Sequence, residues 1–236
     1  MGTFGLLVSV TGAALLSLNT DALGFDFDSR VLLISLSVGL GVLGMAYAFG
    51  DISGGHFNPA ITLGTVLAGR TRLADAAGYI LAQVLGGIVG VAVIAGVAHG
   101  SGSLWSQVTS SSVALASQGY SGNGSPYTVA VGSVFLIEVA MTFFLVLVAL
   151  FTTRSYGSAK NLAPVGIALT LAMTNLVAIP IDGASINPAR SFAPAVLSAA
   201  FGGNTWPLQQ DWLFWVAPIV GGALAALVEI ALRPKP

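Results

Sequence analysis

Cysteine is absent from the 236 residues, which excludes disulfides, thiolate catalysis and cysteine-based metal sites together. Charge is scarce too. The 8 basic and 9 acidic side chains make up 7 % of the chain, against roughly 25 % in an ordinary soluble domain. A water-soluble globule with so little charge could not cover its surface. A net charge of −1 leaves no basic field for nucleic acid. Two histidines, His56 and His99, make a poor metal set, so neither a metal nor another cofactor is expected. What the chain does have is apolar: 55 % hydrophobic residues, a mean hydropathy of +0.89 and 30 glycines. The solvent these proportions fit is a lipid bilayer.

A spanning helix needs about 20 mostly apolar residues. Six segments meet or approach that length: 2–19, 31–50, 76–98, 129–153, 163–181 and 212–232. The first begins almost at Met1 and lacks the basic start and cleavage site of a signal peptide, so it is read as a span with a missing or very short first turn. Two further apolar stretches are too short to cross and have the length of half-membrane, re-entrant segments. Basic residues set the direction. With a cytoplasmic N-terminus, the inward stretches hold Arg70, Arg72, Arg154, Lys160, Arg233 and Lys235, leaving only Arg30 and Arg190 elsewhere. The positive-inside bias therefore predicts a multi-pass protein of the cell (inner or plasma) membrane with both termini in the cytoplasm.

The chain also matches itself. Thr3-Phe4 falls on Thr142-Phe143, Gly86-Gly87 on Gly221-Gly222, and Asn58-Pro59-Ala60 on Asn187-Pro188-Ala189. Residues 1–98 form a first repeat with a re-entrant half-helix over 58–69. Residues 129–236 form a second with a half-helix over 187–199. Each repeat has three spans, an odd number, so the second must enter the membrane inverted, an arrangement that places a site near the midplane between broken helices. The segment 99–128 is an uncharged, Ser/Gly-rich stretch expected to connect the halves on the extracellular side and to rim a vestibule.

Asn is among the best helix N-caps, and Pro at the first helical position gives up an N–H that would be unpaired anyway. Asn58-Pro59 and Asn187-Pro188 therefore read as two helix starts. Inside hydrocarbon depth such starts are costly unless the freed groups line water or protein. In inverted halves they aim at each other, each carrying roughly half a positive charge. The result expected is a narrow wet passage whose centre offers donors and a positive potential, open to neutral hydrogen-bond acceptors and closed to cations, hydrated protons included.

With these residues in view, the sequence resembles the aquaporin, or major intrinsic protein, family, on Ser53-Gly-Gly-His-Phe-Asn-Pro-Ala60 and Ser185-Ile-Asn-Pro-Ala-Arg190, over nearly the whole chain. The order of small and apolar residues is most similar to bacterial water-channel members. The resemblance implies an all-α membrane fold of six spans and two half-helices in inverted repeats. It also implies a homotetramer with one pore per subunit and passive flow of water down osmotic gradients. It assigns a ladder of pore carbonyls to Gly54, Gly55 and His56 and to Gly183, Ala184 and Ser185, the His56 side chain having a structural role. Arg190 becomes the constriction arginine, and matched motifs place the other three filter positions at Val38, Asn175 and Ala184. Glu138 becomes a brace that accepts hydrogen bonds from the second re-entrant loop. Its repeat mate would precede Met1, so the first loop must be braced differently if the chain starts there.

The filter departs from a strict water filter of the family. Val38 stands where an aromatic is usual and Asn175 where a His is usual. Both are smaller, which predicts a relaxed constriction admitting small neutral solutes such as ammonia, hydrogen peroxide or short polyols. A glycerol or ammonia facilitator is the alternative, although Val38 and Ala184 supply no aromatic wall for an alkyl backbone. Ser191, Ala195 and Phe214-Trp215 lean toward the water class. Asp51 and Asp182 are expected as solvated charges at the two mouths, with Glu229 also near a membrane edge. Two other classes fit poorly. A hydrolase would rest on Ser101 and Ser103 near His99 without an orienting acid. A proton-coupled transporter would want more midplane carboxylates than Glu138.

Overall fold

The computed structural model describes residues 1–17, 26–124, 127–154 and 160–233. The expected end of the first span at residue 19, the loop residue Ser125 and Lys235 lie outside them. Among the described residues all regular structure is helical: α1 (Gly2–Leu16), α2 (Phe27–Ser53), α3 (Pro59–Leu67), α4 (Leu73–His99), α5 (Gly102–Val108), α6 (Val131–Thr152), α7 (Ala163–Asp182), α8 (Pro188–Gly202) and α9 (Trp206–Ala231). Helices α2, α4, α6, α7 and α9 have the length and apolar character to cross a bilayer. Helix α1, at 15 residues, rises about 22 Å at 1.5 Å per residue, short of a core about 30 Å thick.

The spans run further than their apolar patterns. Helix α2 starts at Phe27, because Asp26 accepts from the Ser29 amide at 2.8 Å. That bond holds the exposed Asp26 carboxyl below its usual pKa. The same helix runs on to Ser53, where Gly54 turns left-handed at φ 77°. Helix α7 ends alike on Gly183 at φ 88°. Both turns lie where the left-handed region favours glycine. The two short helices begin where the Asn-Pro pairs lie, each Asn side chain accepting from the amide two residues on. Helix α3 stops at Leu67 before a left-handed Gly69. Helix α8 runs past the expected 199 to Gly202, until Gly203 turns left-handed.

Packing repeats in the two halves. Helices α1 and α2, α1 and α4, α6 and α7, and α6 and α9 pack as matching pairs, while α2 meets α7 and α3 meets α8 across the midline. Each short helix also crosses over, α3 lying on α9 and α8 on α4. Lipid gives helices no hydrophobic push together, so close approach depends on small residues. The two matched glycine pairs show it. A methyl on Gly87 would lie 3.1 Å from the Ala189 carbonyl, and one on Gly222 would lie 2.8 Å from the Ala60 carbonyl. Their neighbours Gly86 and Gly221 face Phe4 and Phe143 in the same way. The second residue of each pair is therefore the seat on which the other half's short helix starts.

One expectation changes here, and one buried acid stands out. The connection 99–128 is less of a linker than its composition suggests. It begins inside α4, carries α5, and then makes a tight turn at Ala114–Ala116 in which Leu115 is fully buried. Glu229, read as lying near a membrane edge, is wholly buried. Arg70 reaches it at 2.5 Å, Arg154 at 3.2 Å and Arg233 at 2.6 Å. Arg70 also donates to the Leu150 carbonyl and Arg233 to the Ala68 carbonyl, so this knot ties the ends of α3, α6 and α9.

Candidate functional site

The two short helices point their starts at each other, and their capping residues clasp. With its oxygen used as the cap, each Asn still has two N–H groups. Asn58 Nδ2 donates to the Ile186 carbonyl at 2.8 Å, and Asn187 Nδ2 donates to the Phe57 carbonyl at 3.0 Å. Both accepting residues have positive φ, 50° at Phe57 and 58° at Ile186, conformations that persist only where surroundings enforce them. Each amide keeps one N–H for the space beside it.

That space is a cavity of about 30 Å³, room for only two or three water centres at roughly 10–15 Å³ each. Asn58, Asn187, Arg190 and His56 line it together with the apolar Leu6, Val38, Val42, Leu145, Ile167 and Leu171. Wider cavities adjoin it at both ends. One of about 680 Å³ shares Gly55 and Ile167 with it and is bordered by Gly54, Tyr47 and Asp51. The other, of about 420 Å³, shares Arg190 and is bordered by Gly183, Ala116 and Ser117. The three cavities together form a narrow, largely apolar thread with a few polar groups between two wider vestibules. Solute in the thread finds donors at Asn58, Asn187 and Arg190.

Of the positions singled out in the sequence, Val38, Asn175 and Arg190 line the narrow cavity together with Gly55, His56 and Ser185, while Gly54 and Gly183 border the vestibules. Ala184 is the exception: it is fully buried and is not among the residues that line the narrow cavity. Its φ of 54° and the bond from its amide to Asp182 Oδ1 at 2.7 Å turn it inward. Asn175 spends one N–H on the Leu171 carbonyl of its own helix at 2.9 Å. His56 is only partly buried, with Nδ1 3.3 Å from the Thr62 hydroxyl and its ring edge-on to Tyr79.

Arg190 is held by neutral carbonyls, Ala116 at 3.0 Å and Gly183 at 3.4 Å. Ala116 closes the turn in which Ala114, Leu115 and Ala116 all have positive φ, 43°, 55° and 63°. Left-handed backbone costs about 1–2 kcal/mol per non-glycine residue, so the connecting loop is forced into place over the arginine. No residue-level signal in the sequence marks Ala116. Glu138, fully buried in α6, accepts from the amides of Ser185 and Ile186, both at 2.7 Å. Asp182 is also wholly buried rather than solvated at a mouth, because the loop after α7 folds back over it and Gly119 donates to its carbonyl.

Other singled-out groups sit away from the channel. Ser191 donates to the Pro188 carbonyl, Ala195 and Phe214 are buried, and Trp215 donates to Asp211. Ser101 caps α5 and touches Ser103, while His99 packs edge-on to Trp105. Among the described residues no group of His, Cys, Asp or Glu could hold a metal.

An apolar helical bundle pierced between two opposed helix starts defines a membrane channel. The chain belongs to the major intrinsic protein family, whose model matches residues 1–229. It is 40 % identical over 223 residues to the protein named Aquaporin Z from Photorhabdus laumondii, covering 94 % of this chain and 90 % of that one. It is 39 % identical over 236 residues to Aquaporin Z from Rhodopseudomonas palustris, covering 100 % and 92 %. Among solved structures, the aquaglyceroporin from Plasmodium falciparum superposes with a TM-score of 0.79 at 21 % identity, over 98 % of this chain and 93 % of that one. That likeness establishes the shared fold.

Proposed function

We propose that this chain is a passive water channel with a relaxed filter that also admits small neutral solutes and excludes protons and ions. The observation that carries the reading is the clasp of Asn58 and Asn187 beside a cavity of about 30 Å³. It sets two helix N-termini, each worth roughly half a positive charge, against a single file of solute. Water can turn to accept from the two amides, but a cation meets donors and positive potential at the same place. Arg190 adds a full positive charge at one end of the file. The names of the Aquaporin Z relatives support water as the solute.

The relaxed filter rests on Val38 and Asn175, both lining the cavity. A glycerol or ammonia facilitator is the second reading, and the small side chain at Val38 is what favours it. Assembly as a homotetramer, both termini in the cytoplasm and residence in a cell membrane complete the proposal. So does the absence of a catalytic step: His99→Ala is expected to leave transport unchanged.

Stopped-flow light scattering on proteoliposomes decides between these readings. Osmotic shrinkage much faster than in empty liposomes is expected, together with measurable entry of urea or glycerol. Solute entry no faster than in empty liposomes removes the relaxed filter and leaves a strict water channel. Transport that responds to membrane potential overturns the passive mechanism.

A further inference from the structure

Three successive amides of the second loop point to one side and are taken up by two carboxyl groups. Ala184 N–H donates to Asp182 Oδ1, Ser185 N–H to Glu138 Oε1 and Ile186 N–H to Glu138 Oε2, each at 2.7 Å. Alternating backbone with positive φ at Ala184 and Ile186 makes such an anion-holding nest. Three of the four carboxyl oxygens are thereby satisfied. The fourth, Asp182 Oδ2, is buried with no N–H or O–H donor, and the two carboxyls sit side by side because they take up the adjacent amides of Ala184 and Ser185. Two ionised carboxylates brought this close in a dry interior would repel one another and leave an acceptor facing an acceptor. The charged group facing the pair is Arg190, and its guanidinium donates to the carbonyls of Ala116 and Gly183.

We infer that Glu138 and Asp182 share one proton, and that Asp182 is thereby a positioning residue for the constriction. The proton supplies the donor that the geometry lacks, bridging Asp182 Oδ2 and Glu138. The trio of Arg190, Glu138 and Asp182 then sums to zero instead of −1, so no uncompensated negative charge lies behind the wall to draw cations. Asp182 acts through the backbone. It fixes the Ala184 amide, which sets the direction of the Gly183 carbonyl that holds Arg190.

The positioning role builds on the filter reading above, whereas the shared proton does not. Infrared spectra of the reconstituted full chain near neutral pH should show a protonated-carboxyl C=O band that shifts in deuterated water. The band should be lost in Asp182→Asn and in Glu138→Gln. In stopped-flow assays Asp182→Ala should raise the ratio of urea to water permeability by roughly fivefold, the factor that one hydrogen bond is worth. Asp182→Asn should restore the ratio, since its NH₂ provides the donor and its oxygen still accepts from Ala184. A band that survives both acid-to-amide changes, or its absence from the unaltered chain, overturns the shared proton. An Asp182→Ala ratio equal to that of the unaltered chain overturns the positioning role. A chain that passes water and no urea, with the band present, leaves the proton in place and removes the relaxed filter instead.

Discussion

The two re-entrant loops start from matching sequence and meet matching helices, yet they are braced by different chemistry. Around the first loop the braces are neutral. The Thr3 hydroxyl donates to the Phe57 carbonyl at 3.4 Å, and Gln83 Nε2 donates at 2.9 Å to the Thr62 hydroxyl, which also contacts His56. Around the second loop two buried carboxyls gather three amides, and a guanidinium is tied to two carbonyls. Thr142, the repeat mate of Thr3, shows the exchange. Its buried hydroxyl has no hydrogen-bond partner, because Glu138 one helical turn earlier has taken the loop. An inverted repeat can thus keep its helices symmetric and place all its filter charge on one side. The clasp stays even-handed, and the buried charges gather at one end.

The sharpest way to break this comparison is Glu138→Ala. It orphans two buried amides, each worth about 1–3 kcal/mol when unsatisfied. The expected outcome is a large fall in thermal midpoint in detergent and loss of water permeability. If the protein stays as stable as the unaltered chain, the ionic brace is not what holds the second loop. Next come Asn58→Ala and Asn187→Ala. Each removes a helix cap, about 0.5–2 kcal/mol, and one cross-loop hydrogen bond, about 0.5–1.5 kcal/mol. Equal losses in stability would show the clasp to be symmetric. A double variant costing less than the two single losses combined would show that the residues act as one unit.

Val38→Phe tests the one-sided filter. It should cut urea entry by at least about tenfold, the lower range for a changed apolar contact in a binding pocket, while water flow persists. Asn175→His should move selectivity in the same direction. The smallest effect is expected from Thr3→Val, below about 1 kcal/mol, since its bond is long. If chemical denaturation finds it as costly as Glu138→Ala, the two loops are braced with equal strength after all.

Local rules made much of the channel legible. Asn before Pro is a helix start wherever it stands, so Asn58 and Asn187 identify themselves, and the matched glycine pairs flag close helix contact. Arg190 stands out because a guanidinium in lipid needs a reason. Burial of Asp182 and Glu229 was not legible. An acid at the end of a span looks the same in sequence whether the chain beyond leaves for water or folds back over it. The partners that settle the matter for Glu229 are Arg70, 159 residues away, and Arg154, 75 residues away. The same holds for Ala116, whose carbonyl reaches Arg190 across 74 residues. Hydropathy placed the spans but not their ends, which caps and left-handed glycines determine.

The arginine knot on Glu229 uses the very side chains that make the chain's basic residues lopsided. Arg70, Arg154 and Arg233 would serve a membrane-insertion signal equally well as lysines, since that signal counts charge alone. Three forks converging on one carboxylate and on nearby carbonyls need the planar, multidentate head that lysine lacks. In the folded chain these three arginines are the bolts that keep one half-helix and two spans from sliding apart at that rim.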